Sequence, residues 1–174
     1  MANRDNHYES AFEEYLRVHG LPYVAVDEGR RILAGDGQSL KNLDFIVSVP
    51  GGPSWLIDVK GRRFPSGCRH RQYWKNWSTR DDLDGLARWE AIFGPGFRAM
   101  FVFAYQIVGD RAPLPAAQLF AFRDRLYGFV AAPLADYAPA ARLISPRWQT
   151  VAMSAGSFRQ IARPLDDLLA VPTG

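Results

Sequence analysis

Apolar residues recur at helical spacing near the start of the chain. Tyr8, Ala11, Phe12, Tyr15 and Leu16 follow the i, i+3, i+4, i+7, i+8 pattern of one buried face. This predicts a helix over about residues 5–18, capped by Asp5 or Asn6 and ended by Gly20 and Pro22. A first strand is expected at 21–26 and a short one near 31–33. Two apolar runs, 42–49 and 54–61, flank the turn Pro50-Gly51-Gly52-Pro53 and read as a β-hairpin. Residues 66–77 show no period and are expected to form a loop or lid. Ser78 or Thr79 then caps a helix running to about Phe93, with Asp81 and Asp82 in its first turn. The run 97–108 reads as a buried strand and 118–131 as a second hairpin. Residues 136–143 read as a short helix, 148–153 as a strand, and 158–169 as a helix broken at Pro164.

That order predicts an α/β fold, a mixed central β-sheet flanked by helices. The length of 174 residues favours one domain over 1–174, with a core of about 5–108 and a C-terminal elaboration of about 115–170. Hydrophobic residues make up 48% of the chain, enough for a packed interior. No apolar run approaches the roughly 20 residues needed to span a bilayer, and the start of the chain lacks the layout of a signal peptide. A cytoplasmic protein without a membrane partner is the expectation. The single cysteine, Cys68, excludes an intrachain disulfide and a multi-cysteine zinc site. His7, His19 and His70 have no ligand-like spacing. Glycine-rich nucleotide loops and the serine-hydrolase elbow are absent.

Charge changes the picture in two places. The first is the hairpin, where each apolar run carries an aspartate, Asp44 and Asp58, with thirteen residues between them. Asp58 and Lys60 are two apart, so on a strand they share a face. Two carboxylates and an ammonium on one patch of sheet invite a divalent cation and a phosphate. Mg²⁺ takes hard oxygen donors, so Asp44, Asp58 and the Val59 carbonyl are candidate ligands. Lys60 is placed to orient an attacking water or to steady developing negative charge. It is also one of only three lysines, with Lys41 and Lys75, in a chain that otherwise uses arginine.

The second place is the stretch 59–80. It holds no acid, but contains Lys60, Arg62, Arg63, Arg69, Arg71, Lys75 and Arg80, interleaved with Phe64, Tyr73, Trp74 and Trp77. Cations neutralise phosphates and aromatic faces stack on bases. Arg62, Arg63, Arg69, Arg71, Trp74 and Lys75 are the candidate substrate contacts; a solvated loop with some aromatics in the core is the alternative. Asp81 and Asp82 could approach the site, but capping is the role expected of them.

Asp44 on one strand, followed by Asp58-Val59-Lys60 on the next, resembles the PD-(D/E)XK nuclease superfamily, with Leu43 standing where the name-giving proline would be. Glu9, Phe12, Leu16 and Gly20 also fit the first-helix frame of Holliday-junction-resolvase-like chains. The resemblance spans about residues 8–61 and implies a restriction-endonuclease-like core. It also implies an Mg²⁺-dependent endonuclease (Mn²⁺ substituting) acting most readily on DNA. Glu9 would be the third acid, reaching the metal through water, with Glu13 one turn on as the alternative. A homodimer fits the need for two sites when two strands are cut. The rival reading is a non-catalytic nucleic-acid-binding or assembly module on the same fold; a hydrolase of another phosphate ester is a third.

Overall fold

The computed structural model describes residues 6–26, 32–33, 37, 39–66 and 74–170. Its elements run α1 (His7–Val18), β1 (Tyr23–Ala25), β2 (Ile32–Leu33), β3 (Ser39–Leu40), β4 (Phe45–Ser48), β5 (Ser54–Phe64), β6 (Ser78–Thr79), α2 (Arg80–Phe93) and β7 (Phe97–Ile107). A single 3-10 turn at Ala116–Gln118 leads into β8 (Leu119–Phe122), β9 (Arg125–Pro133), α3 (Leu134–Ala140), β10 (Arg142–Ser145) and β11 (Thr150–Ala152). The described chain closes with α4 (Ala155–Ile161), β12 (Arg163–Pro164) and α5 (Leu165–Leu169).

The main sheet has the order β1-β4-β5-β7-β9-β12, with β8 paired to β9. β4 and β5 form the expected antiparallel hairpin, with Phe45 opposite Ile57 and Ser48 opposite Ser54. Gly51 makes the turn possible at φ +74°, a left-handed value that glycine adopts freely. β5 and β7 are parallel, joined by the crossover through α2, and β9 returns antiparallel to β7. The fold is therefore the mixed α/β sheet that the sequence predicts. β9 and β12 extend the same sheet beyond β7. β10, β11 and β6 make a separate three-stranded sheet.

Alternation along the strands builds a core on each face. Phe12, Tyr15 and Leu16 of α1, with Leu165 and Leu169 of α5, pack on Phe45, Val47, Trp55, Ile57, Val59, Met100 and Val102. Leu86 of α2, Leu134 and Tyr137 of α3 and Phe158 of α4 pack on the other face, against Leu56, Phe101, Phe103 and Tyr105. Asn6 caps α1, its side chain accepting from the Tyr8 N–H at 3.1 Å. Among the described residues no helix is long and apolar enough to cross a membrane.

Two expected elements differ. The helix expected at 136–143 starts and ends earlier, at Leu134–Ala140, and Leu143 leaves it to pair with Val151 in the small sheet. Apolar Leu143 and Ile144 mimic a continuing helix face, but Ala141 is already extended. The helix expected at 158–169 is two short ones. Between them Arg163 and Pro164 pair with Ala131 and Val130 at the sheet edge, where a proline's missing N–H is tolerated.

One contact fixes α1 against the central strand. A Cβ on Gly61 would lie 2.1 Å from Cδ2 of Tyr8, so the tyrosine ring sits directly on the β5 backbone. Gly61→Ala is expected to push Tyr8 and the start of α1 off the sheet, at a cost of about 1–3 kcal/mol. Urea denaturation of the variant measures it; unchanged stability would contradict the contact.

Candidate active site

β5 is an interior strand with helices over both faces. Its odd residues Trp55, Ile57 and Val59 enter the α1 layer, while Leu56 joins the α2 layer. Asp58 and Lys60 follow Leu56 on the α2 side, as the two-residue period requires. Asp58 is 4% exposed. Asp44 stands one residue before β4, where continuation of the Phe45–Ile57 register puts it opposite Asp58. Its N–H donates to the Ile57 carbonyl at 2.9 Å. Its carboxylate Oδ2 accepts from the Val59 N–H at 2.6 Å. The hairpin thus brings Asp44, Asp58, Val59 and Lys60 together on neighbouring strands.

Lys60 Nζ lies 2.7 Å from Asp58 Oδ1 and 2.9 Å from Asp82 Oδ2. Asp82 arrives from the first turn of α2. The same Oδ2 accepts from the Thr79 N–H at 3.0 Å and from the Ser78 hydroxyl at 3.2 Å. Thr79 Oγ1 accepts in return from the Asp82 N–H, completing a capping box. Lys41 binds the other oxygen, Asp82 Oδ1. The result is a chain of alternating charge, Asp58–Lys60–Asp82–Lys41. Asp58 and Asp82 line a narrow crevice with Lys41, Asn42, Leu43, Leu86 and Trp89.

Burial sets the electrostatics. It pushes the Asp58 carboxyl above the usual carboxylate range; Lys60 opposes that, and the Asp82 charge adds to it. Burial also works against the Lys60 ammonium, but the two aspartates outweigh it and hold Lys60 above the ordinary lysine value. Lys60 is therefore charged at neutral pH. Asp82 has the opposite balance to Asp58: burial raises it, but Lys60 and Lys41 together carry it well below the ordinary carboxylate value.

The remaining sequence-predicted residues are placed less uniformly. Glu9 is buried on α1, where the Asn6 side-chain amide donates to it. α1 covers the face opposite the one Asp58 and Lys60 enter. Glu13 accepts from the Tyr23 hydroxyl at 3.0 Å. Among the described residues no three His, Cys, Asp or Glu side chains are grouped so as to hold a metal ion. The expected gathering of Glu9 with Asp44 and Asp58 is thus not assembled there. Arg62 bends onto Trp77, its guanidinium 3.8 Å from the ring centroid. It donates to the carbonyls of Gly61, at 2.7 Å, and Trp77. Arg63 and Lys75 are exposed. Trp74 meets Phe64 and Tyr105 edge-on at 5.9 and 6.1 Å, so much of its ring serves the core. Arg69 and Arg71 lie outside the described residues.

From the sequence, Asp82 is expected only as a cap, and Lys41 has no expected role. The capping box is readable in Thr79-x-x-Asp82, but the tertiary pairing with Lys60 is not. The available signal was the scarcity of lysine, which singles out Lys41 as much as Lys60.

A carboxyl held below its unfolded value of about 3.9 contributes stability that is complete above that value. That contribution is lost as pH falls through the folded value. Asp58, raised by burial, has the opposite sign, and Asp82→Asn also removes the part of that rise that comes from the Asp82 charge. Asp82→Asn is expected to cost about 3 kcal/mol at pH 7, with the gap to wild type closing as pH falls below about 4. Urea titrations across that range measure it; a gap independent of pH would contradict the pairing.

Among solved structures, the fold is similar to that of Hjc from Archaeoglobus fulgidus, a Holliday junction resolvase from an archaeal hyperthermophile. The TM-score is 0.53 at 13% identity, covering 94% of this chain and 98% of that one. No protein-family model and no curated protein matches the chain. The likeness is one of fold, and the fold is the resolvase-like one that the resemblance in the sequence implied.

Proposed function

We propose that this chain is a metal-dependent nuclease that hydrolyses phosphodiester bonds in DNA. The observation that carries the reading is the buried Asp58–Lys60 pair on β5, 2.7 Å apart, set opposite Asp44. It lies on a fold similar, over 94% of this chain, to that of a protein named as a Holliday junction resolvase.

The donors suit Mg²⁺, which is commonly held by one or two carboxylates with substrate phosphate and water completing its shell. Asp44 and Asp58 supply the two carboxylates. Burial raises Asp58 against the pull of Lys60 and Lys41; a bound cation would oppose that burial and favour the carboxylate. The Val59 N–H reaches Asp44; in extended backbone the carbonyl of the same residue opens to the same edge and adds a third oxygen. Bound there, Mg²⁺ would acidify a water and draw charge from a phosphoryl oxygen. Lys60, as an ammonium, is suited to stabilise negative charge developing on the phosphate rather than to remove a proton. Asp82 holds Lys60 in place and is a positioning residue.

One observation favours the rival, a nucleic-acid-binding or assembly module. The carboxylates of the crevice already have ammonium partners, and three clustered acids are not found among the described residues.

Labelled single-stranded, duplex and branched DNA separate the two. Wild type is expected to cut at least one of them only with Mg²⁺ or Mn²⁺. Asp58→Asn and Lys60→Ala are each expected to lower the rate about a hundredfold or more, with the fold verified by circular dichroism. Cleavage that survives both changes, or needs no metal, would overturn the catalytic reading. Binding without cleavage would favour the module.

A further inference from the structure

Beside the crevice the chain exposes aromatic and aliphatic surface that the proposed chemistry does not use. Trp77 is 41% exposed, Leu143 45%, Ile144 60% and Trp148 68%. Trp77, Ile144 and Trp148 line an open cleft of about 470 Å³, together with Thr79, Ser145 and Thr150. A second cleft of about 370 Å³ shares Trp77 and Ile144 and adds Trp74, Lys75 and Met153. Hydrogen bonds at Asn76 tie the platform together. The Asn76 side chain pairs with both backbone groups of Met153, at 3.1 and 2.8 Å, and the Asn76 backbone carbonyl accepts from the Tyr137 hydroxyl at 2.6 Å.

We propose that this groove binds an unpaired stretch of the DNA strand, with bases stacking on Trp77 and Trp148. The inference rests on the nuclease reading and names the form of substrate. Three features select this occupant over another apolar partner. Each tryptophan carries a guanidinium: Arg62 lies 3.8 Å from the Trp77 centroid and Arg147 lies 5.1 Å from that of Trp148. Lys75 lines the second cleft, and neither cleft has an acid in its lining. The groove also borders elements of the candidate active site. Arg62 follows Lys60 by two residues on β5, and Thr79, in the cleft wall, caps the helix that delivers Asp82. Aromatic platforms beside cations suit single strands, because every base has a π-face while a duplex hides its faces in the stack.

The test compares binding of a fluorescein-labelled oligo(dT) of about twelve nucleotides with binding of a duplex of equal length, by anisotropy without metal. Wild type is expected to prefer the single strand. In Trp148→Ala the ratio of single-strand to duplex affinity is expected to fall about tenfold, with Trp148→Phe recovering part of it. Trp148 is mostly exposed, so the fold should survive the change, and circular dichroism checks this. An unchanged ratio overturns the inference, and leaves the nuclease reading standing if wild type still cuts DNA with metal. Failure of wild type to bind any oligonucleotide overturns both. A dimer that Trp148→Ala splits in sedimentation velocity, with the ratio unchanged, shows that a second copy covers the groove and overturns the inference alone. Selective single-strand binding without cleavage supports the groove and moves the nuclease reading toward a binding module.

Discussion

One ammonium, that of Lys60, ties the central strand to the crossover helix. It meets Asp58 of its own strand and Asp82 of the first turn of α2, both buried. Charges at that depth are expensive to desolvate, and removal of either partner leaves an uncompensated charge among Leu56, Leu86 and Phe101. The pairing therefore constrains the position of α2 on the sheet, the direction of Lys60 and the ionisation of Asp58 together. The capping box at Thr79 reinforces it, because the carboxylate that caps the helix is the one that holds the lysine. Replacement of the whole chain of charges by apolar side chains of similar volume could hold the fold as well. The charges are therefore weak evidence of a role in stability alone, and they fit the chemistry proposed for the site.

Much of this was legible in the sequence, and for identifiable reasons. The 3.6 period of Tyr8, Ala11, Phe12, Tyr15 and Leu16 sets α1, and the two apolar runs around a Pro-Gly-Gly-Pro turn set the β4–β5 hairpin. These are local signals, and local signals fix register: once Phe45 faces Ile57, Asp44 is carried opposite Asp58. The convergence of Asp82 and Lys41 was not legible. It depends on the angle at which α2 packs on β5, and no local pattern encodes a distance across forty residues. The same limit explains Glu9. Its spacing to Phe12 and Leu16 fixes which helix carries it, but not how that helix lies on the sheet. Tyr8 against Gly61 does that, through a contact made possible by a missing side chain.

The basic and aromatic stretch shows how composition overstates a site. Arg62 and Trp74 carried the expected chemistry, yet the Arg62 guanidinium binds backbone carbonyls and a tryptophan face, and the Trp74 ring is largely committed to core aromatics. The most exposed aromatics among the described residues are Trp77 and, from a distant segment, Trp148. The surface next to the crevice is assembled from two distant parts of the chain, held together by the small sheet of β6, β10 and β11. Here too the fold determines which residues of a suggestive composition are free to meet a partner.

The central claim is that Asp44 and Asp58 form a cation site with Lys60 beside it. A crystal grown or soaked with Mn²⁺ and measured for anomalous scattering tests this most directly. A peak shared by the Asp44 and Asp58 carboxylates, with Lys60 turned from Asp58, is the predicted result. Anomalous density confined to distant surface acids, with the Asp58–Lys60–Asp82 contacts unchanged, would contradict it.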